Sequence, residues 1–359
     1  MARIHNFNAG PAAIPQAVLE KAQSELLEMA GTGMSVMEMS HRSKEFEAII
    51  ASAEAGIRRL LRVPEEYAIL FLQGGASLQF AMIPMNLRHP GKSADYVDTG
   101  AWAPKAIAEA KIDGQVNLSW TGKQDGYRRI PKPGELNLKP DSEYVHLCSN
   151  ETINGIQWTH FPKTDSPLVA DMSSEILSRA LDVKQFGIIY AGAQKNLGPS
   201  GFAVVIIRKD LAERVPPNVP AILRYSTHLK EGSLYNTPNT WGVYMVKLTC
   251  EWLESQGGIG VIQKVNEKKA AALYNVIDSS DFWRSPVEKE SRSTMNVVWR
   301  LPSEALEEQF VSQAKKQGLV GLKGHRSVGG IRASVYNAIT QESVDALASF
   351  MKEFEKKNG

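Results

Sequence analysis

Residues 187–207 read GIIYAGAQKNLGPSGFAVVII: an apolar, β-branched run, a small-residue loop carrying one lysine, Lys195, and a second apolar run. Runs of this length suit strands buried on both faces, as in a mostly parallel sheet covered by helices. Four more lie upstream: YAILFL (67–72), DYVD (95–98), YVHLC (144–148) and PLVAD (167–171). Between such runs the pattern turns helical. Residues 17–30 and 44–62 are amphipathic, and in the second Phe46, Ile49, Ile50, Ala53, Ile57, Leu60 and Leu61 recur at helical spacing behind Ser43, a candidate N-cap. Strands alternating with helices predict an α/β fold.

The pattern changes after a turn-rich stretch holding Pro216, Pro217, Pro220 and Pro238. A long helix is expected from near Trp241, and Gly257-Gly258 reads as a boundary. Beyond it the spacing predicts a helix over 261–278, a strand over 295–300, a helix over 304–317 closed by Gly318, a strand near 331–336 and a helix over 341–356. That is a smaller C-terminal α+β domain, and two domains suit a chain of 359 residues.

Composition removes several function classes. Forty-one Lys+Arg against 39 Asp+Glu leave a net charge of +2, without the concentrated basic face that nucleic acid demands. Cys148 and Cys250 form no CxxC pattern, so neither a disulfide framework nor a structural metal site is expected, and a reducing compartment fits. Residues 1–7 lack the apolar core of a signal peptide, and no run approaches the ~20 apolar residues of a membrane span. A soluble, cytoplasmic protein is expected. Gly31-Thr32-Gly33-Met34-Ser35-Val36 lacks the last glycine of a dinucleotide fingerprint, and Gly91-Lys92-Ser93 has Asn86 where a P-loop needs its first glycine. Both read as turns.

The candidate chemistry lies at strand ends. Lys195 follows a buried strand, where desolvating an ammonium is costly. It either snorkels out of the sheet or is an amine of lowered pKa suited to forming an imine. Asp171 closes LVAD; it either caps the turn at Ser173-Ser174 or serves as an anion on the same sheet edge as Lys195, where α/β sheets bind ligands. A cofactor that needs both an amine and an anion for a pyridinium is pyridoxal phosphate. Strand 67–72 runs into Gln73-Gly74-Gly75-Ala76-Ser77, a strand–turn–helix whose free N–H groups attract a phosphate. Trp102, just past another strand, is either a core residue or a ring platform. Thr152 is either a turn residue or a hydrogen-bond donor to the cofactor. His41-Arg42 and the glycine-rich segment holding His325, Arg326 and Arg332 either solubilise the surface or form forks for carboxylate and phosphate.

Together these residues resemble the class V aminotransferases, pyridoxal-phosphate enzymes of fold type I. The resemblance runs nearly end to end, through Asn6–Ala12, ADMSSEILSR (170–179), YAGAQKNLGPSG (190–201), NTPNTW (236–241) and KGHRSVGGIRAS (323–334). It implies a large cofactor-binding domain over 16–257 and a small domain over 1–15 and 258–359. Lys195 would carry the imine and Asp171 would pair with the pyridine nitrogen. Trp102 would stack on the ring and Thr152 would contact its phenolic oxygen. Ala76, Ser77 and Gln194 would hold the phosphate, with Asn239 and Thr240 of a neighbouring subunit, so a homodimer is implied. Arg42 would take a substrate carboxylate, and His41, His325, Arg326 and Arg332 a substrate phosphate. The implied activity is ping-pong transamination between L-glutamate and 3-phosphohydroxypyruvate, giving 2-oxoglutarate and O-phospho-L-serine. One departure is Ser77, where many members carry Arg, which lowers the positive charge around the cofactor phosphate. Other readings are a serine–glyoxylate type aminotransferase, a cysteine desulfurase, which would need a reactive loop cysteine, and a non-catalytic cofactor-binding regulator.

Overall fold

The computed structural model describes residues 3–359. In chain order the first elements are β1 (His5–Asn6), α1 (Gln16–Ser24), α2 (Lys44–Leu61), β2 (Tyr67–Gln73), α3 (Gly75–Leu87), β3 (Ser93–Asp98), α4 (Ala103–Asp113) and β4 (Gln115–Thr121). Next come β5 (Val145–Cys148), β6 (Asn150–Glu151), β7 (Ile156–Gln157), β8 (Leu168–Asp171), β9 (Ile188–Gly192) and β10 (Phe202–Arg208). Two short helices, α5 (Lys209–Ala212) and α6 (Tyr225–Lys230), precede α7 (Thr240–Ser255) and α8 (Ile259–Ile277). The chain ends with β11 (Asn296–Trp299), α9 (Glu304–Lys316), β12 (Leu319–Val320), β13 (Ile331–Ser334) and α10 (Gln341–Asn358).

Seven strands form the main sheet in the order β2-β10-β9-β8-β5-β3-β4. β10 is antiparallel to both neighbours and every other pair is parallel. The carboxyl ends of β2, β3, β5, β8 and β9 therefore share one edge, and β10 begins there. Apolar residues cover both faces: Ile69, Phe71, Ala170 and Ile189 pack on one side, Leu70, Tyr96, Val169 and Tyr190 on the other. That two-sided burial explains the unbroken apolar runs.

α2 forms as its spacing predicts. Ser43 Oγ accepts the Phe46 N–H at 3.3 Å, a cap worth about 1 kcal/mol, and Phe46, Ile49, Ile50, Ala53 and Ile57 are buried against the sheet and α7. α1 is shorter than expected, ending at Ser24 instead of Ala30. Leu26 and Leu27 lie beyond its end and are exposed, so no core rewards continuing the helix. β4 has no counterpart in the strand expectations. Its sequence, QVNLSWT, is polar and half-exposed because it occupies the sheet edge.

A second core gathers Phe7 with residues of α8, β11, α9, β13 and α10. β1 pairs with β12, which ties the start of the chain to the C-terminal elements. Phe310 lies at its centre, with Trp283, Trp299, Phe350 and Phe354 rings around it at centroid distances of 4.9–6.0 Å. Among the described residues no helix is long and apolar enough to cross a membrane. Phe310→Ala should destabilise the protein by about 3–5 kcal/mol in urea unfolding, because the surrounding rings cannot collapse into the space; a loss below about 1 kcal/mol would show that this cluster does not carry the second core.

Candidate active site

The carboxyl edge of the main sheet opens into a cavity of about 380 Å³. Its wall contains Ala76, Ser77, Trp102, Thr152, Asp171, Gln194 and Lys195, so seven of the candidate residues meet in one place. A larger cavity, about 880 Å³, opens at the opposite edge beside Pro167, Gly187 and Arg208 and holds none of them. Chemistry selects the smaller one.

Lys195 is only 8% exposed and carries no ion pair among the described residues. Its Nζ donates to Thr152 Oγ1 at 2.6 Å. Burial pushes the amine below the ordinary lysine range; Asp171 and Cys148 pull it back up, and Arg332 adds to the lowering. Asp171 is 4% exposed and is divided between two tasks. Its Oδ1 accepts the Ser173 N–H at 2.9 Å and the Ser173 hydroxyl at 2.6 Å, the turn contact that any Asp would make. Its Oδ2 has no protein donor among the described residues and is left for the cavity. Burial raises the Asp171 carboxyl, while Ser173 and Lys195 oppose the rise. Amine and carboxylate face one cavity without touching.

The glycine turn after β2 forms the third wall. Gly74, at φ 81°, turns the strand straight into α3 and leaves that helix without a side-chain cap. The first intrahelical bond is Leu78 N to Gly74 O at 3.4 Å, so the amides of Gly75, Ala76 and Ser77 remain as donors at the helix N-terminus. Trp102 is the N-cap residue of α4, and its indole Nε1 is buried without a partner. Lys195 Nζ stands 5.7 Å from its ring centroid. Cys148, on the cavity wall, is buried, and burial pushes its thiol well up, which removes the reactive thiolate that a desulfurase requires.

The remaining candidates fall into two groups. Arg332 lies on β13, with its Nε buried and unpartnered and its charge felt at Lys195. His325 is held below the ordinary histidine range by burial and by Arg332, Arg326 and Lys105, so three cations stand near its ring, and none of the four residues lines the cavity. The loop is closed by backbone bonds at its tip, where Val328 N and Gly329 N both donate to His325 O at 3.0 and 2.8 Å, and again at its base. Gly324 N donates to Gly330 O at 2.8 Å, and a Cβ on Gly324 would stand 2.0 Å from Gly329 O, so only glycine closes this ring. His41, Arg42, Asn239 and Thr240 do not line the cavity of their own chain. His41 Nδ1 and Thr237 Oγ1 are 3.3 Å apart, and Asn239 Oδ1 caps α7 by accepting the Gly242 N–H at 2.8 Å.

Comparison with known proteins agrees with this geometry. The family model for aminotransferase class-V matches residues 4–347. The chain belongs to the class V aminotransferase family. Among its relatives, the phosphoserine aminotransferase of Geobacillus kaustophilus is 55% identical over 358 residues, covering 99% of each chain. The solved phosphoserine aminotransferase of Bacillus circulans subsp. alkalophilus superposes with a TM-score of 0.98 at 52% identity, covering 99% of both chains. A solved PLP-bound phosphoserine aminotransferase from Trichomonas vaginalis has a TM-score of 0.93 at 40% identity, covering 98% of this chain and 100% of that one.

Sequence reasoning missed several residues of this class V site. Ser173 figured there only as part of a turn, yet it fixes which Asp171 oxygen is free. Lys105 sits three residues after Trp102 on α4, with Nζ 4.1 Å from the indole centroid; the i, i+3 spacing was its only signal. Glu151 carries no sequence signal at all. It is completely buried, and burial pushes its carboxyl up to about 8 against the pull of two N–H bonds.

The electrostatics predict a sign. Asp171 raises the Lys195 pKa, so Asp171→Asn should lower it further, whereas relief of burial would raise it. Competitive acetylation resolved by peptide mass spectrometry should place the Lys195 midpoint below those of surface lysines, and lower still in Asp171→Asn. An upward shift in that variant would contradict the assignment.

Proposed function

We propose that this chain is a phosphoserine aminotransferase that interconverts L-glutamate and 3-phosphohydroxypyruvate with 2-oxoglutarate and O-phospho-L-serine, using pyridoxal 5′-phosphate. The observation that carries this reading is the cavity itself: a buried amine and a buried carboxylate on one sheet edge, with helix amides and an indole beside them. High identity to phosphoserine aminotransferases over 99% of the chain supports the substrate pair.

The donor set fits pyridoxal phosphate. Lys195 would tether it, Asp171 Oδ2 would face its ring nitrogen, and Trp102 would lie against the ring. The amides of Ala76 and Ser77, with Gln194, would take its phosphate, and Thr152 its phenolic oxygen. When bound, the group supplies an aldehyde for the amino group in transit and a ring that accepts the electron pair left at the α-carbon. The chain's own residues do the rest. Burial lowers the Lys195 amine, which favours the uncharged form whose Nζ would take the α-proton of one substrate and return a proton to the other. Asp171, with Oδ2 free for the cavity, would pair with a protonated ring nitrogen and so favour that proton. Thr152, bonded to Nζ, sets the direction from which the amine approaches.

Arg42 is assigned to the substrate carboxylate, and His41, His325, Arg326 and Arg332 to the phosphate, since a dianion among several cations gains charge-assisted hydrogen bonds. His325 is held low by burial and then by its cationic neighbours, and an arriving phosphate would reverse the neighbours' part of the shift. His41, Arg42, Asn239 and Thr240 are absent from the lining of their own cavity, although the Asn239 amide stands beside Gly201 of its wall, and Leu27, Met34 and Met37 are exposed apolar residues. Both features support a homodimer in which these residues complete the partner's site, with a large domain over 16–257 and a small one over 1–15 and 258–359. Buried free Cys148 and Cys250 support a reducing, cytoplasmic setting.

Two experiments test the reading. In separate half-reactions followed by visible absorbance, glutamate and then 3-phosphohydroxypyruvate should reverse each other's spectral change. Arg326→Ala should raise KM for the phosphorylated keto acid about 10–100-fold while moving that for glutamate less than about threefold. Equal effects on both substrates would remove Arg326 from phosphate recognition. For shared sites, co-refolding Lys195→Ala with Arg42→Ala should recover about a quarter of wild-type activity, because half the dimers are mixed and each has one intact site. No recovery would place both residues in one chain's site.

A further inference from the structure

Glu151 is a buried carboxyl group for which the proposed reaction has no use. It forms no ion pair among the described residues and does not line the cavity, and a carboxyl group desolvated without a cation needs hydrogen bonds in return. Those bonds all go to one place. Glu151 Oε2 accepts the Trp102 N–H at 3.1 Å and Oε1 accepts the Ala103 N–H at 3.4 Å. Pro104 has no N–H, and the Lys105 N–H is bonded to Trp102 O at 3.1 Å, so Glu151 takes the two donors that the first turn of α4 leaves over.

Neighbouring contacts tighten the same clamp. Asn154 Oδ1 accepts the Ala101 N–H at 3.2 Å. Gly100 lies flat against the carboxylate, where a Cβ would stand 2.6 Å from Glu151 Cδ. Thr152, the next residue along, holds Lys195 Nζ at 2.6 Å. Two consecutive residues after β5 thus grip the two groups that flank the cavity, one through its main chain and the other through its side chain.

We propose that Glu151 is a positioning residue: it fixes the main chain of Trp102 so that the indole keeps its place over the cofactor ring, in register with Lys195. The proposal rests on reading Trp102 as the ring platform. A merely structural cap would stabilise α4 without regard to what the indole touches, and this difference can be measured.

The test is a double-mutant cycle on the full-length chain, with Glu151→Ala, Glu151→Gln, Trp102→Ala and the combined variants. The readouts are pyridoxal phosphate affinity by titration and the circular dichroism induced in the bound cofactor. Glu151→Ala should weaken affinity about tenfold or more and diminish the induced signal, with a smaller effect for Glu151→Gln, which keeps one acceptor oxygen. In the Trp102→Ala background, removing Glu151 should cost less than about twofold, because its effect passes through the indole. An undiminished effect in that background, or wild-type affinity in Glu151→Ala, would overturn the proposal. Should Glu151→Ala fail to fold, Glu151→Gln against Trp102→Ala completes the same cycle. Failure of the wild-type chain to take up pyridoxal phosphate would instead strike the underlying reading of the cavity.

Discussion

The architecture turns on keeping an amine and a carboxylate dry, close and apart. Two charges buried this deeply would ordinarily collapse into an ion pair or neutralise. Here each is restrained from its own side: Thr152 holds Lys195 Nζ, and Ser173 holds one oxygen of Asp171. The separation is a property of the sheet, because the two residues leave adjacent parallel strands, β8 and β9, by different loops. Burial then acts in opposite senses on the two groups, lowering the amine and raising the carboxyl, so a cationic ring between them would relieve the carboxyl and keep the amine low.

That arrangement was largely legible because parallel strands sort chemistry by position. Lys195, Asp171, Trp102, Thr152 and the Gly74-Gly75 turn each follow an apolar run, and the topology brings all such exits to one edge. What could not be read were residues that act through a partner far along the chain. Glu151 clamps a turn roughly fifty residues away, and nothing in its neighbours' spacing announces that contact. Edge strand β4 escaped for a different reason, since a strand exposed on one side need not be apolar. The overlong α1 shows the converse error, in which helical spacing continues past the point where a core exists to bury it.

The recognition loop illustrates how a mobile-looking sequence can be held in place. Residues 323–330 are rich in glycine, yet the loop's base is fixed by Arg300 Nε, which bonds Glu307 Oε1 at 2.6 Å, and by Glu307 Oε2, which accepts the Gly330 N–H at 3.1 Å. Arg300 Nη1 also reaches Val328 O at 3.0 Å. The basic residues 325, 326 and 332 are therefore carried on a pinned frame that belongs to the second core.

The central claim is that the carboxylate at 171 holds a proton on the cofactor ring opposite the buried amine. Reconstituting the chain with pyridoxal phosphate labelled with ¹⁵N in the ring, and recording the nitrogen chemical shift across neutral and alkaline pH, tests this directly. The account predicts the shift of a protonated pyridinium, lost on substituting Asp171 by Ala. An unprotonated ring nitrogen in the wild-type protein would contradict it.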